Sequence, residues 1–132
     1  MNRIYVLVIL IISCTISKPL FRSQEDYTAR FIGEDHSLRK YGIRSSRGIY
    51  ITKNNDLDVR IKLLSYKFSI FRKGKLLKKW NIKGNYYPGN LYLYLDQELI
   101  FRDSIVIDNI LAKESGEKFY VTPINIVQLF VN

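Results

Sequence analysis

Few side chains in this sequence have the types that make and break covalent bonds. There is one histidine, His36, and one cysteine, Cys14. Nucleophilic catalysis needs a nucleophile, a base and a group that orients the base. His36 stands among scattered charges and reads as a solvated loop residue, not as a base. Metal centres gather three or four His, Cys or carboxylate ligands. Asp56 with Asp58, and Glu114 with Glu117, instead sit beside turn-forming residues, where acids are common. Asp103 and Asp108 could flank a glycosidic bond as an acid–base pair, yet no neighbouring residue sets one apart from the other. The string holds no phosphate-cradling loop and no dinucleotide fingerprint. These residues point to a non-enzymatic chain that uses no cofactor and no metal.

What the sequence does offer is electrostatic. The formal charge is +9 over 132 residues, which favours anionic partners. Between Asp58 and Asp96 there is no acid, while Arg60, Lys62, Lys67, Arg72, Lys73, Lys75, Lys78, Lys79 and Lys83 all fall inside. That run exceeds what solubility asks of a small domain. It is either a solvated face or a surface that holds a partner. In the second case Arg72, Lys73, Lys75, Lys78, Lys79 and Lys83 are the candidate contacts. Trp80, in the same stretch, is either a core anchor or an exposed binding aromatic.

The first residues constrain the partner. MNRIYVLVILIISC has a basic start at Arg3, nine uninterrupted apolar residues over 4–12, and then small polar residues. Nine is about half of the ~20 needed to span a bilayer, so residues 1–13 read as an export signal. Ile12 and Ser13 before Cys14 have the form of a bacterial lipobox, with Cys14 as the lipidated N-terminus of the mature chain. Several acyl chains on that residue anchor a protein firmly. The alternative is a plain signal cut after Ser17. The expected location is therefore the periplasm, or the outer membrane as a lipoprotein, and nucleic acid is not the expected anion. With a single cysteine the mature domain forms no internal disulfide.

The elements that must carry the basic run come next. Residues 14–42 read as a tether, with apolar residues lacking a period and at most one short helix around 35–41. The folded domain is expected over 43–132. Ten Tyr and seven Phe, beside many Ile and Val, favour strands. GIYIT is a strand candidate, followed by a turn over KNND. In LDVRIKLLSYKFSIF, Val59, Ile61 and Leu63 share one parity, while Tyr66, Phe68 and Ile70 share the other. Side chains on a strand alternate faces, so the shift requires a bulge near Leu64 and Ser65. A long bent strand serving two sheets is a sandwich feature. Parity turns Arg60, Lys62 and Lys67 to water. RKGK makes a hairpin turn, LLKKWNI returns beside the first strand, and Gly84 with Asn85 closes it. SIVIDNILAK, the ESGE turn with Gly116, KFYV, and INIVQLFV beyond Pro123 complete the chain as strands. PGNLYLYLDQELIF stays open. LYLYL alternates as a strand does, yet Leu91, Leu95 and Leu99 also form a helical stripe, with Asn90 as an N-cap candidate.

LDVRIKLLSYKFSIFRKGK, then KGN, a Pro-opened segment, and SIVIDNILAKESGEKFYVTPINIVQL together resemble the C-terminal domain of GldM, a gliding-motility and secretion-motor protein. The resemblance is carried by Asp58, Val59 and Arg60, residues 66–74, Gly84 and Asn85, Ile107 with Asp108, Asn109 and Ile110, Ala112 and Lys113, Gly116, and residues 123–129. It covers about residues 43–132. One departure is that Arg102, Asp103 and Ser104 stand where the family has a Pro-Gly-Asp turn. Another is that GldM crosses the inner membrane and carries several domains.

The resemblance implies a mainly β, β-sandwich-like domain of about six or seven strands, with one short helix near residues 90–101. It gives Asp108, Asn109 and Gly116 structural roles. An Asp-Asn pair inside an aliphatic strand can bond neighbouring backbone groups where strands change partners. The function it implies is a protein-binding module of the cell envelope, in gliding motility or type IX secretion. From the charge alone, the alternative is a soluble periplasmic domain that binds polyanions through the basic hairpin.

Overall fold

The computed structural model describes residues 20–21, 26–33 and 42–127. The signal segment, Cys14 and His36 lie outside the described residues, as does the helix expected around 35–41. The fold is mainly β, sandwich-like, with two short helices. The strands are β1 (Leu20–Phe21), β2 (Tyr27–Ile32), β3 (Gly48–Lys53), β4 (Asp56–Arg72), β5 (Lys75–Lys83), β6 (Ser104–Glu114), β7 (Glu117–Val121) and β8 (Ile124–Val127). The helices are α1 (Gly42–Ser45) and α2 (Gly89–Gln97).

β4 organises the rest because it is 17 residues long and bends. Its first half pairs with β3, and its second half pairs with β5 on one side and β6 on the other. The bend lies where parity requires it. The β4–β6 register shifts between Leu63 and Ser65 and again between Ser65 and Lys67. Ile61 and Leu63 are buried before the shift, and Tyr66, Phe68 and Ile70 after it. Absorbing one residue keeps both apolar sets on the core side of a strand whose side chains alternate. Val59 is the exception to the expected parity: it is exposed, within the 57–59 stretch that the β3–β4 register shift between Thr52 and Lys53 leaves without a β3 partner.

One segment departs from expectation. Tyr27–Ile32 lies in the stretch read as a tether, yet it pairs with all of β3 in antiparallel register. Leu20–Phe21 pairs in parallel with β7. The folded unit therefore recruits chain from before residue 43. The Tyr27 ring stacks at 4.3 Å on Phe119 of β7, and its hydroxyl donates to Glu114 at the end of β6. Lys53 joins the same carboxylate at 3.2 Å. These contacts draw the two ends of the bent sheet together, and no local period announces them.

Within PGNLYLYLDQELIF, Gly89–Gln97 is helix, which ends at the Glu98 C-cap short of the expected 101. Leu91, Leu95 and Leu99 are buried, while Tyr92 and Leu93 are exposed, which is the helical stripe and not the alternation. Pro88, not Asn90, holds the N-cap position; Asn90 instead accepts from the Leu91 N–H with its own side chain. A proline suits a helix start because its missing N–H would have no partner there. α2 covers the sheet face formed by Tyr66, Phe68, Ile70, Ile105 and Ile107, and all of these belong to one core cluster with Ile49, Ile51 and Phe119. Burying each large apolar side chain in this set contributes about 1.5–3 kcal/mol.

The remaining turns follow the residue types. Ser115 and Gly116 both have positive φ (50° and 84°) between β6 and β7, the two-residue hairpin geometry that glycine eases. Asn109 also has positive φ (48°), which asparagine tolerates better than most residues. It sits where β6 leaves β8 and takes up β7. Pro123 falls in the gap between those two strands.

Candidate functional site

The basic run folds as the β4–β5 hairpin. Lys73 and Gly74 are its two central residues, with φ of 52° and 76°, a turn of type I′ whose twist matches that of its strands. A register shift between Ile70 and Phe71 leaves Leu77 outside the pairing, and Leu76 and Leu77 are both exposed beside the turn. Beyond the shift, Lys78, Trp80 and Ile82 stand opposite Ile70, Phe68 and Tyr66 and share the face that α2 covers. Lys79, Asn81 and Lys83 stand opposite Ser69, Lys67 and Ser65 on the other face. The lysines thus surround a strand edge instead of paving one face. β5 bonds to β4 alone among the described strands, so no described strand pairs with its other edge.

Of the candidate contacts, Arg72 does not belong to this surface. Its Nε and Nη2 donate to the two carboxylate oxygens of Asp103, each at 2.9 Å, and Nη2 also reaches the Glu98 carbonyl at 3.3 Å. Asp103 is fully buried and accepts in addition from the Ile100 N–H at 3.0 Å. Burial pushes the Asp103 carboxyl up, but the Arg72 and Ile100 hydrogen bonds outweigh it and hold the group below its ordinary range. Arg72 is therefore a clamp from the hairpin tip to the chain after α2. The same bonds engage both Asp103 oxygens in holding Arg72 and the Ile100 N–H.

Other cations in the run are also engaged. The Arg60 guanidinium lies 4.6 Å from the centre of the Tyr50 ring, and Lys67 approaches Asp108 at 4.0 Å. Asp108 does not make the backbone bonds expected of it. Its Oδ1 accepts no hydrogen bond from a described residue and has only Lys67 nearby. Lys73, Lys75, Lys78, Lys79 and Lys83 are exposed and form no ion pair with a described acid.

Beside the β5 edge runs a groove of about 480 Å³. Lys78, Lys79 and Trp80 line it from β5, and Asn90, Leu93, Tyr94, Gln97 and Glu98 line it from α2 and its end. The partly buried Trp80 meets Tyr94 at 5.7 Å and Phe68 at 6.2 Å, both edge-on. Trp80 is thus at once a packing residue against the core and a wall of the groove. Burial pushes the Tyr94 hydroxyl up against the opposing pull of Arg72, so at neutral pH it remains a donor. The helix side of the groove was not legible in the sequence. Its one signal was an exposed Leu93 and a Tyr94 left over beside the Leu91, Leu95 and Leu99 stripe.

Among the described residues no three His, Cys, Asp or Glu side chains come together. Comparison with protein families, curated proteins and solved structures finds no match for the chain.

Proposed function

We propose that this chain is a non-enzymatic, exported cell-envelope protein whose β domain binds another protein. The GldM resemblance quoted above supplies the setting, gliding motility or type IX secretion, and Cys14 supplies the lipid anchor. The single observation that carries a binding role is the β5 edge that no described strand pairs with, bordered by exposed lysines and an aromatic-walled groove. Exposed edges that are neither paired nor covered are where added strands dock. The mainly β fold with a short helix before the Asp108–Asn109 strand is compatible with the resemblance. To test it, the chain is tagged at its C-terminus and recovered with its partners from the envelope of the cells that make it. Recovery of a specific envelope protein supports the proposal; recovery of none at any salt concentration overturns it. Globomycin-sensitive processing tests the role of Cys14 separately.

The uninterrupted run of cations favours a second reading, a periplasmic domain that holds anionic polymers. Attachment to lipopolysaccharide or heparin would then fall steeply with ionic strength. Replacing Lys73, Lys75, Lys78 and Lys79 by Gln abolishes that attachment if the second reading holds; unchanged retention removes it.

A further inference from the structure

We infer that the edge of β5 turned away from β4 takes up an acidic, extended segment of the partner protein as an added strand, one bulky apolar side chain of that segment packed in the groove against the paired rings of Trp80 and Tyr94. This rests on the protein-binding proposal and names the form of the partner.

The edge comes first. β5 is nine residues long and, among the described strands, is hydrogen-bonded on one side only. Alternate residues of such an edge turn their N–H and C=O outward, a template for another chain. Lysines on an edge ordinarily prevent self-pairing. Here Lys75, Lys78, Lys79 and Lys83 would repel the same edge of a second copy and attract an acidic strand, so the charges select against one occupant and for another.

The distribution of lysines separates a strand from a polyanion draped on the surface. Lys78 projects to the α2 side of the sheet, while Lys79 and Lys83 project to the other. A polymer lying on one face reaches only part of that set. A strand added in the plane of the sheet alternates its own side chains between the two faces, so acids on both of its sides meet lysines. The groove then reads one position of that strand. Its walls are Trp80, Leu93 and Tyr94, and Glu98 closes it with the only acid among its lining residues. Lys78 and Lys79 border the same groove on its β5 side, so an aromatic or apolar side chain packs on the Trp80 and Tyr94 rings while the acids flanking it meet the lysines. Main-chain pairing for affinity and a side-chain pocket for selection is how added strands are recognised.

The test uses the full chain and a fluorescein-labelled synthetic peptide with a central Phe flanked by adjacent Glu-Glu pairs separated by Val or Thr, so that both faces of the strand carry acids, read by anisotropy. Two further peptides carry N-methyl groups on alternate residues, one in each phase. Only one phase of N–H groups faces β5, so methylation in that phase weakens binding at least tenfold and methylation in the other leaves it within twofold. Lys78→Glu with Lys79→Glu weakens the unmodified peptide at least tenfold; Lys62→Glu with Lys118→Glu, an equal change of charge away from the edge, changes it less than twofold. Circular dichroism confirms that both variants are folded. No binding of the unmodified peptide, equal binding of both methylated peptides, or equal losses from the two double variants overturns the inference. If an envelope protein is still recovered by the Lys78→Glu, Lys79→Glu chain, the added-strand inference fails and the protein-binding proposal stands.

Discussion

Arg72 grips both carboxylate oxygens of Asp103 at 2.9 Å, and the acid it holds is entirely removed from solvent. The residue that opens the basic turn is therefore part of the scaffold, and the hairpin tip is tied to the segment that follows α2.

Breaking the pair from its two sides should cost unequal amounts. Arg72→Met leaves a buried carboxylate without its cation and should destabilise by about 3 kcal/mol, the low end for a buried pair because the arginine itself is partly exposed. Asp103→Asn leaves a cation that water can reach and should cost less, about 1.5 kcal/mol. In the wild type the Asp103 carboxyl titrates below its ordinary value, so its stabilisation is complete above about pH 4 and fades as pH falls further. In Arg72→Met only the weaker Ile100 hydrogen bond opposes burial, which raises that carboxyl, so this variant loses stability as pH rises instead. Urea unfolding at pH 7 and pH 3 should show the gap between the two proteins narrowing in acid; a constant gap would contradict the assignment.

Deleting Ser65 removes the residue that β4 absorbs at its bend. Tyr66, Phe68 and Ile70 would then exchange faces with their neighbours relative to Ile61 and Leu63. The deletion should abolish cooperative unfolding, whereas Ser65→Ala should stay within about 1 kcal/mol of wild type. Far-UV circular dichroism followed through a urea titration reads both. A deletion variant with the wild-type midpoint would show that the register does not depend on the bulge.

Gly48 and Gly89 make opposite cases for alanine. A Cβ on Gly48 would lie 2.1 Å from the Asn85 carbonyl oxygen and 2.9 Å from Tyr86 Cα, both backbone atoms. The Ile49 N–H and the Asn85 side chain bond across the same approach. Gly48→Ala should therefore cost about 1–3 kcal/mol or more. A Cβ on Gly89 meets nothing within 4 Å, so Gly89→Ala at the start of α2 should be neutral or stabilise by up to about 1 kcal/mol. Thermal melts of the two variants, side by side, test the pair.

Phe68 and Trp80 face each other across β4 and β5 but differ in depth. Phe68→Ala should destabilise by about 3–5 kcal/mol. Trp80→Ala should cost clearly less, since one side of its ring borders the groove. Trp80 is also the only tryptophan, so its emission should shift when the acidic peptide binds. Binding without any change in emission would move the contact away from the groove.

The predictions differ in how far the sequence alone could have reached them. The bulge was legible because parity is a local property: three apolar residues at spacing two before it, three after, and one residue too many between. The Leu91, Leu95 and Leu99 stripe was legible only as one of two periods. The choice between them came from what lay beneath, the apolar face of Phe68, Ile70 and Ile107 that a helix covers. The groove was not legible, since its two walls are supplied by β5 and α2 and meet only when both pack on β4.

Local spacing and turn chemistry determined most of the strands, the β4–β5 hairpin and the turn at Gly116, because alternation and left-handed φ act between near neighbours. Three features were decided only in three dimensions: the recruitment of Tyr27–Ile32 beside β3, the clamp of Arg72 on Asp103, and the lysines divided about the β5 edge turned away from β4. Each joins or orients residues through contacts far apart in the chain. A charge run states how many cations there are; burial and register decide which of them are spent on the scaffold and which remain for a partner.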